Sequence, residues 1–251
     1  MARILIGPGG TAGLGYDEGL REIKKLGLDA LEVEFTYGVR MSNAEAKRIW
    51  EMAKGITLSV HGPYYINLAS EDTSKVKASK KRILDSCERA HYLNAEYVVF
   101  HAGFYGKKEK EETYRIIKKE LLELKEIIKK NKWNSKLCPE TTGKKTQFGS
   151  LEELQRLKKE INVDYCVDFA HLLAREGKID YKELLKRLPE KFHAHYSGIE
   201  FSEKGERRHL DVNVNEFRKL AEELKKQKKD IVIICESPDP FGDAVRMKKN
   251  I

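Results

Sequence analysis

Tyr165-Cys166-Val167-Asp168-Phe169-Ala170-His171 begins as an apolar strand and ends in a carboxylate, with an imidazole three residues later. A charge at the end of a buried strand is costly to desolvate unless something pairs with it. The same pattern recurs along the chain, where apolar residues run into His61, His101, Glu140, Asp168, His195 or Glu236. Six strand ends that each present one ligand-type side chain restrict the fold severely. They act together only if the strands are parallel and open on one common face.

The rest of the pattern agrees. Strands are expected at Arg3–Gly7, Ala30–Phe35, Ile56–Val60, Tyr97–Phe100, from Leu137 into Cys138-Pro139-Glu140, and at Val163–Val167, Phe192–Tyr196 and Ile231–Cys235. Helical spacing falls between them, first through Leu20, Ile23 and Leu26 up to Gly27, then from a cap at Asn43 to about Lys54. Further helices run through Ile83, Cys87, Ala90 and Asn94, and through Ile117, Leu121, Leu124 and Ile128. Ser150 with Glu153 forms a capping box before Leu151–Lys159, and helices around Tyr181–Leu188 and Phe217–Leu224 complete the series. Eight strands alternating with helices, without a linker, predict an α/β fold of parallel strands and crossover helices. The expectation is a single (β/α)₈ TIM barrel over residues 1–251. A doubly wound sheet is the alternative, but it gathers ligands at one switch point rather than at six strand ends.

Composition excludes several other classes. The 251 residues are 40% hydrophobic and 35% charged, which suits a globular chain rather than a disordered one. No apolar run reaches the ~20 residues of a membrane span, and the start MARILIGPGG lacks the layout of a secretory signal. A cytoplasmic protein without a membrane partner is expected. Cys87, Cys138, Cys166 and Cys235 form no CxxC pair, so packing is expected of them rather than disulfides or a thiolate zinc finger. The net charge of +8 permits a polyanionic partner, although interleaved Lys and Glu in 107–132 also fit a solvated helix face. No apolar stripe marks an obligate dimer, and a monomer is expected.

In a barrel, His61, His101, Glu140, Asp168, His195 and Glu236 would converge at the carboxyl ends of the strands, where imidazole and carboxylate are usual zinc ligands. Alternation along a strand places Cys138 and Cys166 one layer beneath Glu140 and Asp168. It likewise places His193 beneath His195, as a supporting group or substitute ligand. Each residue alone has a plainer reading, a hydrogen-bonded structural histidine or half of an arginine pair. Repetition at successive strand ends favours the metal site.

Read in order, His61-Gly-Pro-Tyr-Tyr-Ile-Asn-Leu68, Phe100-His-Ala-Gly103, Glu140-Thr-Thr-Gly143, Asp168-Phe-Ala-His171, His195, Arg208-His209-Leu210 and Glu236-Ser-Pro238 carry a resemblance. Over nearly its whole length the chain resembles the endonuclease IV family of apurinic/apyrimidinic endonucleases, a branch of the xylose isomerase-like barrels. The resemblance implies one metal held by His61, His101 and Glu140. Glu140 would bridge to a second metal bound also by Asp168, His195 and Glu236, which makes it the central catalytic residue. A third metal would use His171 and His209, but Arg207 stands where the family has an aspartate, with Glu206 beside it. That third site is therefore absent, weakened, or completed by Glu206. Arg40, Tyr64 and Tyr65 match the side chains that the family inserts into DNA.

The implied activity is hydrolysis of double-stranded DNA 5′ to an abasic site, leaving a 3′-hydroxyl, through water activated by two or three zinc ions. A sugar isomerase or epimerase is the alternative, needing one divalent metal on Glu140, Asp168, His195 and Glu236. A binding protein with a degenerate site is a third reading.

Overall fold

Parallel strands with apolar residues on their outer faces need cover on that side, and amphipathic helices supply it. The computed structural model describes residues 2–251. In chain order the elements are β1 (Ile4–Pro8), α1 (Gly15–Lys25), β2 (Ala30–Glu34), α2 (Asn43–Met52), β3 (Thr57–His61), α3 (Thr73–Tyr92), β4 (Tyr97–Phe100), α4 (Lys110–Lys130), β5 (Lys136–Pro139) and α5 (Leu151–Ile161). There follow β6 (Cys166–Asp168), α6 (Phe169–Glu176), α7 (Tyr181–Arg187), β7 (Lys191–Tyr196), β8 (Gly198–Ser202), β9 (Gly205–Leu210), α8 (Val214–Lys226), β10 (Asp230–Cys235) and α9 (Pro240–Lys248). None of the helices is long and apolar enough to cross a membrane among the described residues.

Two four-stranded parallel sheets, β1-β10-β7-β6 and β2-β3-β4-β5, form the wall. Parallel bridges Gly9–Glu32 and Glu140–Cys166 join them at both seams, so the eight strands close into a ring. This is the expected (β/α)₈ barrel. Gly7 lies at the β1–β2 seam, where a Cβ would sit 1.8 Å from the carbonyl oxygen of Ala30, so only glycine permits that approach.

The core has two compartments. A large apolar shell lies between strands and helices, with Ile6, Val33, Leu58 and Ile233 meeting Ile23, Ile49, Ile83 and Leu220. Inside the ring, Val99, Cys138 and Cys166 form a small separate cluster. The two cysteines thus occupy the interior layer that alternation assigns them, and all four cysteines are buried and unpaired.

Several boundaries differ from expectation. The sixth strand is Cys166–Asp168 rather than Val163–Val167, and α6 follows it without a loop. Asp168 causes that abrupt switch by capping the helix, its Oδ1 accepting the His171 N–H at 2.7 Å. Ser42, not Asn43, caps α2 through its hydroxyl. The β8–β9 hairpin and α9 have no counterpart among the expected elements. The second strand of the hairpin is almost wholly polar and the first has only Ile199 and Phe201 as large apolar residues, and α9 starts in a Pro/Gly-containing stretch that reads as a turn.

Buried Arg175 on α6 anchors the loop after β5, which carries Thr141–Gly149. Its guanidinium donates to the carbonyls of Thr142, Lys144 and Gln147 at 3.3, 2.9 and 3.1 Å, to the Thr142 hydroxyl at 3.1 Å, and to the Tyr105 hydroxyl at 3.3 Å. Arg175→Met should leave those buried acceptors without donors and destabilise the protein by about 3 kcal/mol. Urea unfolding measures this, and a midpoint unchanged from wild type would refute the anchoring role.

Candidate metal centre

The carboxyl ends of the strands open into a cavity of about 850 Å³. His61, His101, Glu140, His171, His209, Glu236 and Tyr64 line it, together with Glu34 and Glu206. Asp168 and His195 lie fully buried at its floor, grouped with Glu140 and Glu236 so that ligand atoms of all four fall within 4.8 Å of one another. All eight residues expected as ligands therefore meet at one end of the barrel. Of the three expected DNA contacts, only Tyr64 lines the cavity. Tyr65 is exposed beside it, and Arg40 is exposed on the loop after β2.

Glu140 is the hub. Its Oε2 lies 3.3 Å from His61 Nε2 and 2.9 Å from His101 Nε2. Its Oε1 lies 3.1 Å from both His171 Nδ1 and His195 Nδ1. Each carboxylate oxygen thus faces its own pair of imidazoles. His195 Nδ1 is also 3.1 Å from Glu236 Oε1. Histidines, rather than arginines, are what these acids face.

A second grouping lies alongside. His171 Nδ1 donates to the Thr141 carbonyl at 3.0 Å, and His209 Nδ1 donates to the Glu236 carbonyl at 2.9 Å. Carbonyls only accept, so both Nδ1 atoms carry protons, and the neutral rings present bare Nε2 atoms. Those two atoms face each other at 3.3 Å, with Glu206 Oε2 3.5 Å from His171 Nε2. Two nitrogen lone pairs at that separation call for a proton or a cation between them.

The hairpin explains why Glu206 is present. Glu200 pairs with Arg208 and Phe201 with Glu206, so Arg207 is the extra residue of a β-bulge. The bulge resets the alternation and turns Glu206 to the same side as His209. Arg207 and Arg208 turn outward, 3.5 and 2.6 Å from Glu200 carboxylate oxygens.

Charge balance supports a cation site. Burial opposes ionising Glu140, but His101 and His195 outweigh it and hold the carboxyl well below its usual range. Burial, resisted by His171 and reinforced by Glu140, raises Asp168. Asp168 Oδ1 is committed to the helix cap, while Oδ2 is buried with no hydrogen-bond partner among the described residues. Burial opposes charging His61, yet Glu140 overcomes it and pushes the imidazolium up to about 9. Protons on the imidazoles thus supply the positive charge that a bound divalent ion would supply. The donor set of imidazoles and carboxylates, with an orphaned carboxylate oxygen, fits zinc or another borderline metal.

Residues near the site were missed from sequence. Glu32 and Glu34 stand two apart on β2 and so share the interior face, Glu32 buried and Glu34 open to the cavity. Two acids alternating with apolar residues in Leu31-Glu32-Val33-Glu34 were the available signal. His193 is not at the mouth. It lies one layer down beneath His195, as alternation along the strand leads one to expect, its Nε2 2.9 Å from Glu32 Oε2.

Eight parallel strands closed into a ring, with polar side chains converging at the carboxyl rim, define a (β/α)₈ barrel of the kind whose active sites sit at that rim. The chain belongs to the xylose isomerase-like TIM-barrel family, whose profile matches residues 20–250. An uncharacterized protein of Methanocaldococcus jannaschii is 38% identical over 244 residues, covering 90% of this chain and 88% of that one. A probable endonuclease 4 of Mycoplasmopsis synoviae is 34% identical over 118 residues, covering 45% of this chain and 40% of the relative. This chain thus aligns with less than half the length of that endonuclease. Among solved structures, endonuclease IV from Thermus thermophilus superposes with a TM-score of 0.71 at 22% identity, covering 98% of this chain and 97% of its own. A D-tagatose 3-epimerase-like protein superposes with a TM-score of 0.76 at 22% identity, covering 98% and 94%. At these identities the superpositions establish the fold.

The raised imidazoles set a pH dependence. A histidine whose folded value lies above its unfolded one stabilises fully below about 6.5. For His61 that contribution disappears as pH rises through about 9. The chelator-treated protein should therefore lose thermal stability between these limits. Zinc must displace the same protons, so its affinity should rise about tenfold per pH unit for each proton released. Calorimetric titration in two buffers of different ionisation enthalpy measures that release. A pH-independent affinity would contradict the assignment.

Proposed function

We propose that this protein is a metal-dependent endonuclease that hydrolyses double-stranded DNA 5′ to an abasic site and leaves a 3′-hydroxyl. The observation that carries the reading is the division of Glu140, one oxygen facing His61 and His101 and the other facing His195, with the protonated His171 Nδ1 beside it. A lone metal needs one carboxylate oxygen. A carboxylate presented from both sides suits a pair of metals held at fixed separation.

In this reading His61, His101 and Glu140 hold one zinc, and Glu140, Asp168, His195 and Glu236 hold another. His171, His209 and Glu206 take a third, with Glu206 replacing the aspartate displaced by Arg207. Zinc bound there supplies Lewis acidity toward the phosphate and a lowered pKa for water. The protein's own groups position the substrate. The cavity volume is within the range of sites that enclose a small molecule, and an extruded abasic nucleotide is of that class. Tyr64 and Tyr65, 62% and 63% exposed, stand at the rim as wedges for the stacking that extrusion removes. Arg40 offers a guanidinium to the flanking backbone. Abasic nucleotides resist extrusion least, which favours them as targets.

A single-metal sugar epimerase is the second reading, favoured by the tight grouping of Glu140, Asp168, His195 and Glu236. It leaves the His61–His101 pair and the His171–His209 pair without a metal.

A nicking assay on a duplex with one abasic site, with and without chelator, tests the proposal. Cleavage should be lost with chelator and return with zinc. Absence of nicking by a zinc-loaded protein that epimerises ketoses would favour the second reading. Glu140→Gln should lower cleavage at least a thousandfold, about 4 kcal/mol of barrel-mouth catalysis, with circular dichroism unchanged. Wild-type cleavage by that variant would remove Glu140 from the centre of the mechanism. Tyr64→Ala should weaken binding to the abasic duplex by about 1–3 kcal/mol. An unchanged dissociation constant in a gel-shift titration would exclude the wedge.

A further inference from the structure

Beneath the cavity a carboxylate is sealed inside the barrel. Glu32 is 0% exposed, midway along β2, and three side chains converge on it. Its Oε2 accepts from Ser59 Oγ at 2.7 Å and lies 2.9 Å from His193 Nε2. Its other oxygen, Oε1, lies 2.8 Å from His195 Nε2, a charged contact in which neither atom has an aligned hydrogen-bond partner among the described residues. Isolated carboxylates are expensive to bury, so one placed here requires every partner it has.

The contact with His195 has a directional consequence. A bare Nε2 lone pair 2.8 Å from a carboxylate oxygen would be repelled by it, so the charge of Glu32 favours the imidazole tautomer with the proton on Nε2. In the neutral ring Nδ1 is then bare. Nδ1 is the atom 3.1 Å from both Glu140 Oε1 and Glu236 Oε1. The two nitrogens of His195 therefore face different layers, one toward Glu32 and one toward the mouth. Ser59 and His193 suffice to tie Glu32 to its neighbouring strands, and the separate oxygen facing His195 adds nothing to that tie.

We propose that Glu32 is a positioning residue for the metal centre, holding His195 in its Nε2–H form and aiming Nδ1 at the ion shared with Glu140 and Glu236. The inference rests on the metal-centre reading above. Glu32 itself touches neither metal nor substrate. Supporting partners of this kind typically contribute 10–100-fold to metal affinity.

Competition between the protein and a chromogenic chelator for zinc tests this at constant pH, using wild type, Glu32→Gln, Glu32→Asp and Ser59→Ala. Glu32→Gln should lower zinc affinity roughly 10–100-fold. Ser59→Ala, which removes a partner of Glu32 away from His195, should lower the stability of the chelator-treated protein and leave zinc affinity within about twofold. Long-range proton–nitrogen spectra of the zinc-loaded wild type should show His195 protonated on Nε2, and Glu32→Gln should weaken that preference. If Glu32→Gln does not fold, Glu32→Asp, whose carboxylate is withdrawn by one methylene, should lose affinity severalfold. Wild-type zinc affinity in Glu32→Gln, or in Glu32→Asp where the former is not obtained, would overturn the positioning role alone. Failure of the wild type to bind zinc would remove the metal centre and this inference together.

Discussion

A carboxylate enclosed by four imidazoles sets the terms for the rest of the molecule. Glu140 is 1% exposed, and each of its oxygens is within 3.3 Å of two ring nitrogens. Desolvating such a group costs several kcal/mol, which only nearby positive charge can offset. The four imidazoles come from the ends of β3, β4 and β7 and from the first turn of α6. All four must therefore end at the same height around the ring. The seam bridge between Glu140 and Cys166 secures part of that alignment, since it joins the two sheets at the hub itself.

The strands divide their chemistry by face. Outward side chains are apolar and pack under the helices, as in most parallel barrels. Inward side chains combine the small Val99–Cys138–Cys166 cluster with buried Glu32, Ser59 and His193 below a polar upper layer. The arrangement matters because the polar layer sits in a low-dielectric wall, where interactions between charges are stronger than in water. The same geometry would serve sugar chemistry on other barrels. What separates the readings is the number of cations the rim can hold, and Glu140, with His61 and His101 on one oxygen and His195 on the other, favours more than one.

Much of this was legible in the chain because strand ends repeat. His61, His101, Glu140, Asp168, His195 and Glu236 each follow an apolar run, and one topology makes that repetition useful. Cys138 and Cys166 followed from alternation alone. Glu32 and Glu34 were not legible in the same way. Both lie inside the expected strand Ala30–Phe35, although Glu34 is the last residue of β2 in the structure, and a mid-strand acid reads as exposed until its neighbours are known. The helix α6 was hidden because Asp168 serves as both last strand residue and cap, leaving no turn sequence to announce the change. The hairpin's second strand is almost wholly polar, and Ile199 and Phe201 in the first are too few to make a periodic signal. Arg40 shows the opposite case, a residue suggested by resemblance whose side chain stands outside the cavity.

The bulge at Arg207 shows how a site can change its donors through chain length rather than chain letters. In an antiparallel ribbon the side a residue faces depends on whether an even or odd number of steps separates it from a fixed point. One extra step before His209 therefore exchanges which neighbour looks inward, and an acid enters where position-by-position comparison shows a base. Parity can thus turn a carboxylate toward a rim even where its neighbour in the chain is a base.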